Sequence, residues 1–260
     1  MVVNHLRVHW EYLKVALSTA MEYKINFIIQ VLAMVFNDVV WIIFWLIFFN
    51  RFQNVGGWVL GDMLMLYAII TLSYGLSSVF FGNRNRIAEI VNQGKLDFYL
   101  ALPKNVLFHV LISRSSFYGL GDVVFGIILA FIVLSLASLS LFLILVLAST
   151  SILLSVAILS GSLAFFFGNA EATSRNIFMG TLSLASYPLS VYQGVTKFIL
   201  LTIIPAGFIS GVPVELLKSF NAQWFWLTIG FVVLIFSIAT FVFYRGLKKY
   251  ESGNLMYVRT

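Results

Sequence analysis

The sequence predicts an all-α integral membrane protein: six transmembrane helices, an N-terminal interfacial helix, a cytoplasmic helical loop and an extracellular re-entrant hairpin before the last span. Composition is the first reason. The 260 residues are 61% hydrophobic and 10% charged, against roughly 45–50% and 25% in ordinary soluble domains. That leaves too little polar surface to cover a water-facing fold, so the bilayer must be the solvent. The second reason is a succession of apolar stretches long enough to span, and the third is that lysine and arginine collect in alternate connections. No repeat or second domain is evident, and residues 1–260 read as one transmembrane domain.

Residues 1–24 form the interfacial helix. Val3, Leu6, Trp10, Leu13, Leu17 and Ala20 recur at three- and four-residue intervals, with Arg7, Glu11, Lys14 and Ser18 between them. Such a narrow apolar stripe suits a helix lying in the membrane surface. The first ten residues lack the apolar core and small-residue cleavage site of a signal peptide, so insertion is expected to rely on the first span. Span one covers about 25–49 and span two about 61–81; in the link between them Gly56, Gly57 and Trp58 signal a turn with an interfacial aromatic. In the long stretch 106–136, which holds Arg114 and Asp122 in its first half, the start is interfacial and span three begins near Phe117. Span four, about 141–168, follows a tight turn at 137–140. Its Ser149, Ser151, Ser155, Ser160, Gly161 and Ser162 suit close helix packing. Span six covers about 224–244 and leads into the basic tail Arg245, Lys248 and Lys249.

The stretch 177–217 is too long for one helix at 1.5 Å per residue and too broken for two clean spans. Pro188, Gly194, Lys197, Pro205, Gly207, Gly211 and Pro213 punctuate it. One span over about 177–192 followed by an apolar hairpin over about 198–217 is the economical solution. Irregular backbone at membrane depth must be surrounded by protein or line a cavity.

Six spans place both termini on one side. Arg7, Lys14, Lys24, Arg84, Arg86, Lys95, Lys104, Arg175, Arg245, Lys248, Lys249 and Arg259 gather there; the other side has Arg51 and Lys218, with Lys197 near its boundary. The positive-inside rule makes the first side cytoplasmic. The net charge of +6 fits an anionic lipid surface and does not by itself call for nucleic acid.

No catalytic constellation is present. Without cysteine there are no disulfides or thiolate sites. Gly94-Lys95 lacks the upstream glycine and following Ser/Thr of a nucleotide-binding loop. His5 and His9 can share a helix face but have no third ligand, and read as ordinary interfacial residues.

Two features remain. The hydrophilic island 83–97 reads as a short helix over 86–93, with Ile87, Ile90 and Val91 as its apolar face and Gly94 as its terminator. Asp97 would cap a second turn over 98–102, ended by Pro103. The island is either a docking element for a soluble partner or a solvated loop with an interfacial helix. The second feature is a pair of intramembrane acids: Asp38, beside Asn37 halfway along span one, and Asp122. An acid there costs roughly 2.5–3.5 kcal/mol on insertion scales and should face the bundle interior or water. The acids are either proton-relay groups or, as the preferred reading, pair with polar neighbours such as Arg114, Asn26, Gln30 or Lys197.

The order of these features resembles the permease subunit of type-2 ATP-binding-cassette transporters, the ABC-2 or exporter-type family. The resemblance spans nearly the whole chain. It rests on the loop Glu89-x4-Gly94-x-Leu96-Asp97-x2-Leu100-x2-Pro103, on the segment Tyr187 to Tyr192, and on Ile204-Pro205-Ala206 followed by Gly211-Val212-Pro213.

The resemblance implies that the loop 83–105 is cytoplasmic and carries a coupling helix over 83–102, with Arg86, Glu89, Gly94, Leu96, Asp97, Leu100 and Pro103 as its contact residues. It implies that the helix over 3–20 approaches the same ATPase and that 194–217 is the re-entrant region. Two permeases, identical or homologous, would join two ATPase subunits in a lipid bilayer, with no nucleic acid. The path would run between the permeases, with Asn37, Asp38, Tyr74, Tyr187 and Tyr192 as candidates. This chain would be no enzyme and carry no cofactor; ATP and Mg would sit on the ATPase partner. The setting would be a prokaryotic plasma (inner) membrane, with both termini cytoplasmic. The alternatives are an ion-coupled secondary transporter using Asp38 and Asp122, and a membrane scaffold that only recruits a partner.

Overall fold

A computed structural model describes residues 2–251, with side chains from His5 onward; Arg259 and the side chain of Val3, both used in the sequence reading, lie outside what is described. The described chain is helical throughout. In order, α1 is Val2–Glu22, α2 Lys24–Arg51, α3 Leu60–Phe80, α4 Ile87–Asn92, α5 Leu96–Leu100, α6 Val106–Ile112 and α7 Leu120–Val133. Then follow α8 Leu139–Ser162, α9 Ala164–Phe167, α10 Glu171–Ala185, α11 Gly194–Thr202, α12 Val212–Lys218 and α13 Ala222–Leu247. Among the described residues four helical stretches are long and apolar enough to cross a membrane: Lys24–Arg51, Leu60–Phe80, Leu136–Phe167 and Ala222–Leu247. The number rises to six if each of two bent pairs counts as one span.

The first bent pair joins α6 to Phe117–Val133 at 68°. Its straight part starts where the sequence reading begins the third span. The second joins Gly194–Thr202 to Gly207–Lys218 at 77°, and falls on the stretch expected to be re-entrant. Between its arms a π-helical turn, Gly207–Gly211, is fully buried, with Phe208 stacked on Phe231 at 4.4 Å. Protein surrounds this irregular backbone, as is required of any that lies at membrane depth.

The fifth span needs correction. Its helix is α10, which starts at Glu171 and stops at Ala185, not 177–192. The stop has a local cause: Pro188 has no N–H and restricts the residue before it to extended backbone. At 15 residues α10 is not among the span-length helices; it measures about 22 Å, short of a ~30 Å hydrocarbon core. It still runs from the island to the hairpin. At one end the Ser174 hydroxyl meets Ser160 of α8 at 3.2 Å, and at the other the Ser210 hydroxyl donates to the Ala185 carbonyl at 2.5 Å.

The centre is α3 and α8, each with 72% of its apolar stretch buried, against 11% for α2 and 17% for α13, which form the periphery. Glycines set the closest crossing, α3 on α7: a Cβ on Gly75 would lie 2.7 Å from the Gly119 carbonyl oxygen, and one on Gly126 would lie 2.8 Å from Leu72. Small residues at such crossings let backbones approach where lipid offers no competing hydrophobic drive. On the hairpin side, Gly56 (φ +59°) and Gly57 (φ +84°) make the expected tight turn. Trp58, however, is buried rather than interfacial. Lys218 pins the end of α12 to the start of α3 through Asp62, 2.8 Å away.

Candidate functional site

The island is anchored at its first residues. The Asn83 side-chain amide donates to the Val110 carbonyl at 3.1 Å and to the Ser113 hydroxyl at 2.7 Å, and the Gly82 N–H donates to the Arg114 carbonyl at 2.8 Å. A short α4 follows, Ile87–Asn92 rather than 86–93. Its apolar residues Ile87, Ala88, Ile90 and Val91 are all buried, in one cluster with Leu154 and Ile158 of α8, Phe165 of α9 and Phe243 of α13. Ile87 lies against Gly161, where an added Cβ would be 2.6 Å from the Ile87 Cβ. The face expected to press on a partner is therefore the protein's own core. An amphipathic helix buries its stripe against the nearest apolar surface, and a glycine on α8 leaves that surface open.

On the outer side of α4, Arg86 holds Glu89 in a two-pronged pair: Nε to Oε2 at 2.8 Å and Nη2 to Oε1 at 2.6 Å. Lys95 stands 3.7 Å from the same carboxylate. The Arg86 hydrogen bonds hold the Glu89 carboxyl below its ordinary range. Gly94, at φ +68°, ends this unit in the left-handed region that side chains avoid.

After Gly94 the chain enters α5 two residues earlier than expected for a cap at Asp97. Lys95 occupies the N-cap, and Asp97 lies inside the first turn. Leu96 is fully buried and is an anchor, not a contact residue. Tyr99 hydrogen-bonds Ser113 at 2.9 Å. Asp97 interacts with Tyr250 of the tail, whose phenol is pushed up to about 12 by burial and then by Asp97. What faces outward is apolar: Phe98 is 61% and Leu100 44% exposed, with Ala101 and Pro103 also open. Phe98 is a residue the sequence reading missed, because nothing in the sequence says which of the island's two short helices turns outward.

Helix α1 is docked beside this region by a face other than its apolar stripe. Leu6, Trp10 and Leu17 of the predicted stripe are exposed, while His5, Val8, His9, Tyr12 and Ala16 turn toward the body. His9 Nε2 lies 3.0 Å from the Phe80 carbonyl at the end of α3, which places the proton on Nε2; Tyr12 hydrogen-bonds His109 at 2.7 Å. The histidines are thus docking groups. Burial lowers the His9 pKa below its ordinary 6.5, the carbonyl opposing it. A lowered value means the docked state binds the proton less well. Docking is therefore complete above the ordinary value and weakens as pH falls below it. Spin labels on Lys14 and Gln93 should report a single distance at pH 8 that broadens by pH 5. A distance unchanged over that range would show that His9 does not hold α1.

Deeper in the fold, α2, α3, α7 and α10 enclose a cavity of about 310 Å³. Asn37, Asp38, Tyr74 and Tyr187, four of the five path candidates, line it, together with Trp41, Tyr67, Thr71, Asp122, Ser183 and Ser186. Tyr192 does not; its hydroxyl donates to the Leu184 carbonyl at 3.1 Å. Asp38 and Asp122 are buried and face each other, with Asn37 and Arg84 as further partners rather than Arg114, Asn26, Gln30 or Lys197. Tyr67, Thr71 and Tyr74 recur at helical spacing, a signal that was present in the sequence and could have located this wall.

Arg84 joins the two regions. It sits on the island's first turn but is only 3% exposed. Its Nη2 donates to the Ser78 hydroxyl at 2.9 Å, and its guanidinium lies 4.8 Å from the Tyr74 ring and 5.5 Å from that of Phe178. Tyr74 also lines the cavity. A cation expected among the surface charges is in fact turned inward against the cavity wall.

A family model described as ABC-2 family transporter protein matches residues 35–253, which include the island and every cavity residue except Met34. No curated protein and no solved structure matches the chain. An all-helical body, span-length apolar helices and a family match over most of the chain agree. The chain belongs to the ABC-2 family of transporter membrane proteins.

Proposed function

We propose that this chain is the permease subunit of an exporter and that a separate cytoplasmic ATPase grips it on the α5 face of the island. The observation that carries this reading is the exposed Phe98, Leu100 and Pro103 surface, oriented by the turn at Gly94 and held by the buried anchors Asn83 and Leu96. Two permeases, identical or homologous, pair with two ATPase subunits that hold ATP and Mg. On this reading the island and both termini are cytoplasmic, supported by the basic residues gathered on that side, and the chain lies in a prokaryotic plasma membrane. ATP binding closes the ATPase pair and moves the islands. Because α4 is seated on α8 and Arg84 on the cavity wall, that motion passes directly into the helices around the path. ATP drives the cycle by its unequal affinity for the two states. The facing acids give the ion-driven alternative its one supporting observation; it predicts transport without any ATPase.

The test is Phe98→Ser combined with Leu100→Ser. Surface substitutions of this kind change stability by about 0.5 kcal/mol or less, so the chain should insert and melt normally. The ATPase recovered with the tagged chain from native membranes should fall at least tenfold. Equal recovery would exclude α5 as the docking face, and a wild-type chain that brings down no ATPase would overturn the permease reading itself.

A further inference from the structure

The cavity is built for a positive charge. Asp38 and Asp122, 6% and 5% exposed, both line it, and the Oδ2 atom of each is buried with no hydrogen-bond partner. One fixed cation reaches them, Arg84, which acts on Asp122 at a distance and gives its hydrogen bond to Ser78. The two acids face each other across a hydrogen bond, so with no guest one of them holds the proton and Arg84 balances the other. A cation that displaces that proton takes its place in the charge balance. Four aromatic side chains share the wall with the two acids: Trp41, Tyr67, Tyr74 and Tyr187. Ring faces attract cations, most strongly where water is excluded.

We infer that the cavity binds a monovalent organic cation, a protonated amine or quaternary ammonium on an apolar body, as the transported substrate. Each competing class fails on a named feature. An anion meets two acids. A neutral molecule leaves both unpartnered oxygens buried, at a cost of order 1–3 kcal/mol each. A transition metal such as zinc lacks its ligand set: among the described residues no three His, Asp or Glu side chains converge. The volume, about 310 Å³, is at the small end of ligand pockets. Met34, Ile70 and Leu182 supply the surface for a hydrocarbon portion.

The substrate class rests on the permease reading only in treating the cavity as part of the path, and it can be tested apart from the ATPase. The full chain in nanodiscs would be dialysed against radiolabelled benzyltrimethylammonium. Neopentylbenzene, its neutral isostere, and benzenesulfonate serve as competitors. Saturable binding is expected, with displacement by a tenfold excess of either competitor below one tenth. Asp38→Asn with Asp122→Asn should weaken binding at least tenfold, and Asp38→Glu should restore most of it in the Asp122 background. If the double variant does not fold, the isostere comparison on the wild-type chain decides alone. Equal displacement by the neutral isostere, or binding unchanged in a folded double variant, would overturn the inference. Failure here with the ATPase still co-purifying removes the substrate class and leaves the permease. Cation binding without any ATPase partner removes the coupling and leaves the site.

Discussion

Gly161→Val is expected to abolish ATP-driven transport, by at least tenfold, without preventing membrane insertion. The Gly161 position on α8 is the seat of α4: a Cβ there would be 2.6 Å from the Ile87 Cβ and 3.0 Å from its Cγ2. The Ile87 Cβ is not the free end of a flexible chain, so relief requires α4 to move as a unit. It cannot move freely, because Asn83 and Leu96 tie both sides of it to the body. Overpacking of this kind costs about 1–3 kcal/mol, enough to lift the island from its seat while α8, apolar along its length, still inserts. The readouts are transport and the rate of tryptic cleavage at Lys95, which should rise. Gly180→Ala is the control, since nothing lies within 4 Å of an added Cβ there. Transport and cleavage unchanged in Gly161→Val would show that α4 does not rely on this seat.

Arg84→Leu should uncouple the transporter in a different way. Arg84 is buried, so it cannot contact a soluble partner, and the ATPase should still be recovered with the chain. What is lost is the contact between the island and the Tyr74 face of the cavity, together with the positive charge near Asp122. Removing one member of a buried charged set leaves the other uncompensated, typically at a cost of about 3–5 kcal/mol. Substrate-stimulated ATP hydrolysis should therefore fall at least tenfold while basal hydrolysis persists. Arg84→Lys keeps the charge but not the flat guanidinium that stacks on the ring, and should be intermediate. Loss of ATPase recovery in Arg84→Leu would mean that the residue holds the fold of the island rather than its link to the path.

These two residues show where sequence reading stopped. Gly161 was legible as a site of close packing, yet its partner, Ile87, lies 74 positions away and belongs to a segment that looked like a surface helix. Arg84 was legible only as one of a run of cytoplasmic charges. The turn at Gly56 and Gly57, the start of the third span near Phe117, the broken stretch before the last span and the special backbone at Gly94 were all written in local chemistry. So was the rarity of Asp38 and Asp122 inside apolar stretches, though not that they face each other.

The sequence by itself determined the solvent, the long apolar helices, the punctuation between them and the membership in a transporter family, because each depends on composition or on spacing within one segment. Only the tertiary structure decided which way each amphipathic face turns. Leu6, Trp10 and Leu17 of α1 point out while Leu13 and Ala20 are half-buried, the stripe of α4 points in, Leu96 is an anchor and Phe98 is exposed. In water the apolar face of a helix has one destination. In a membrane, lipid and protein interior are about equally apolar, so the hydrophobic pattern no longer distinguishes them. Close packing at glycines and the partners available to buried polar groups make the choice, and both are set by residues far apart in the chain.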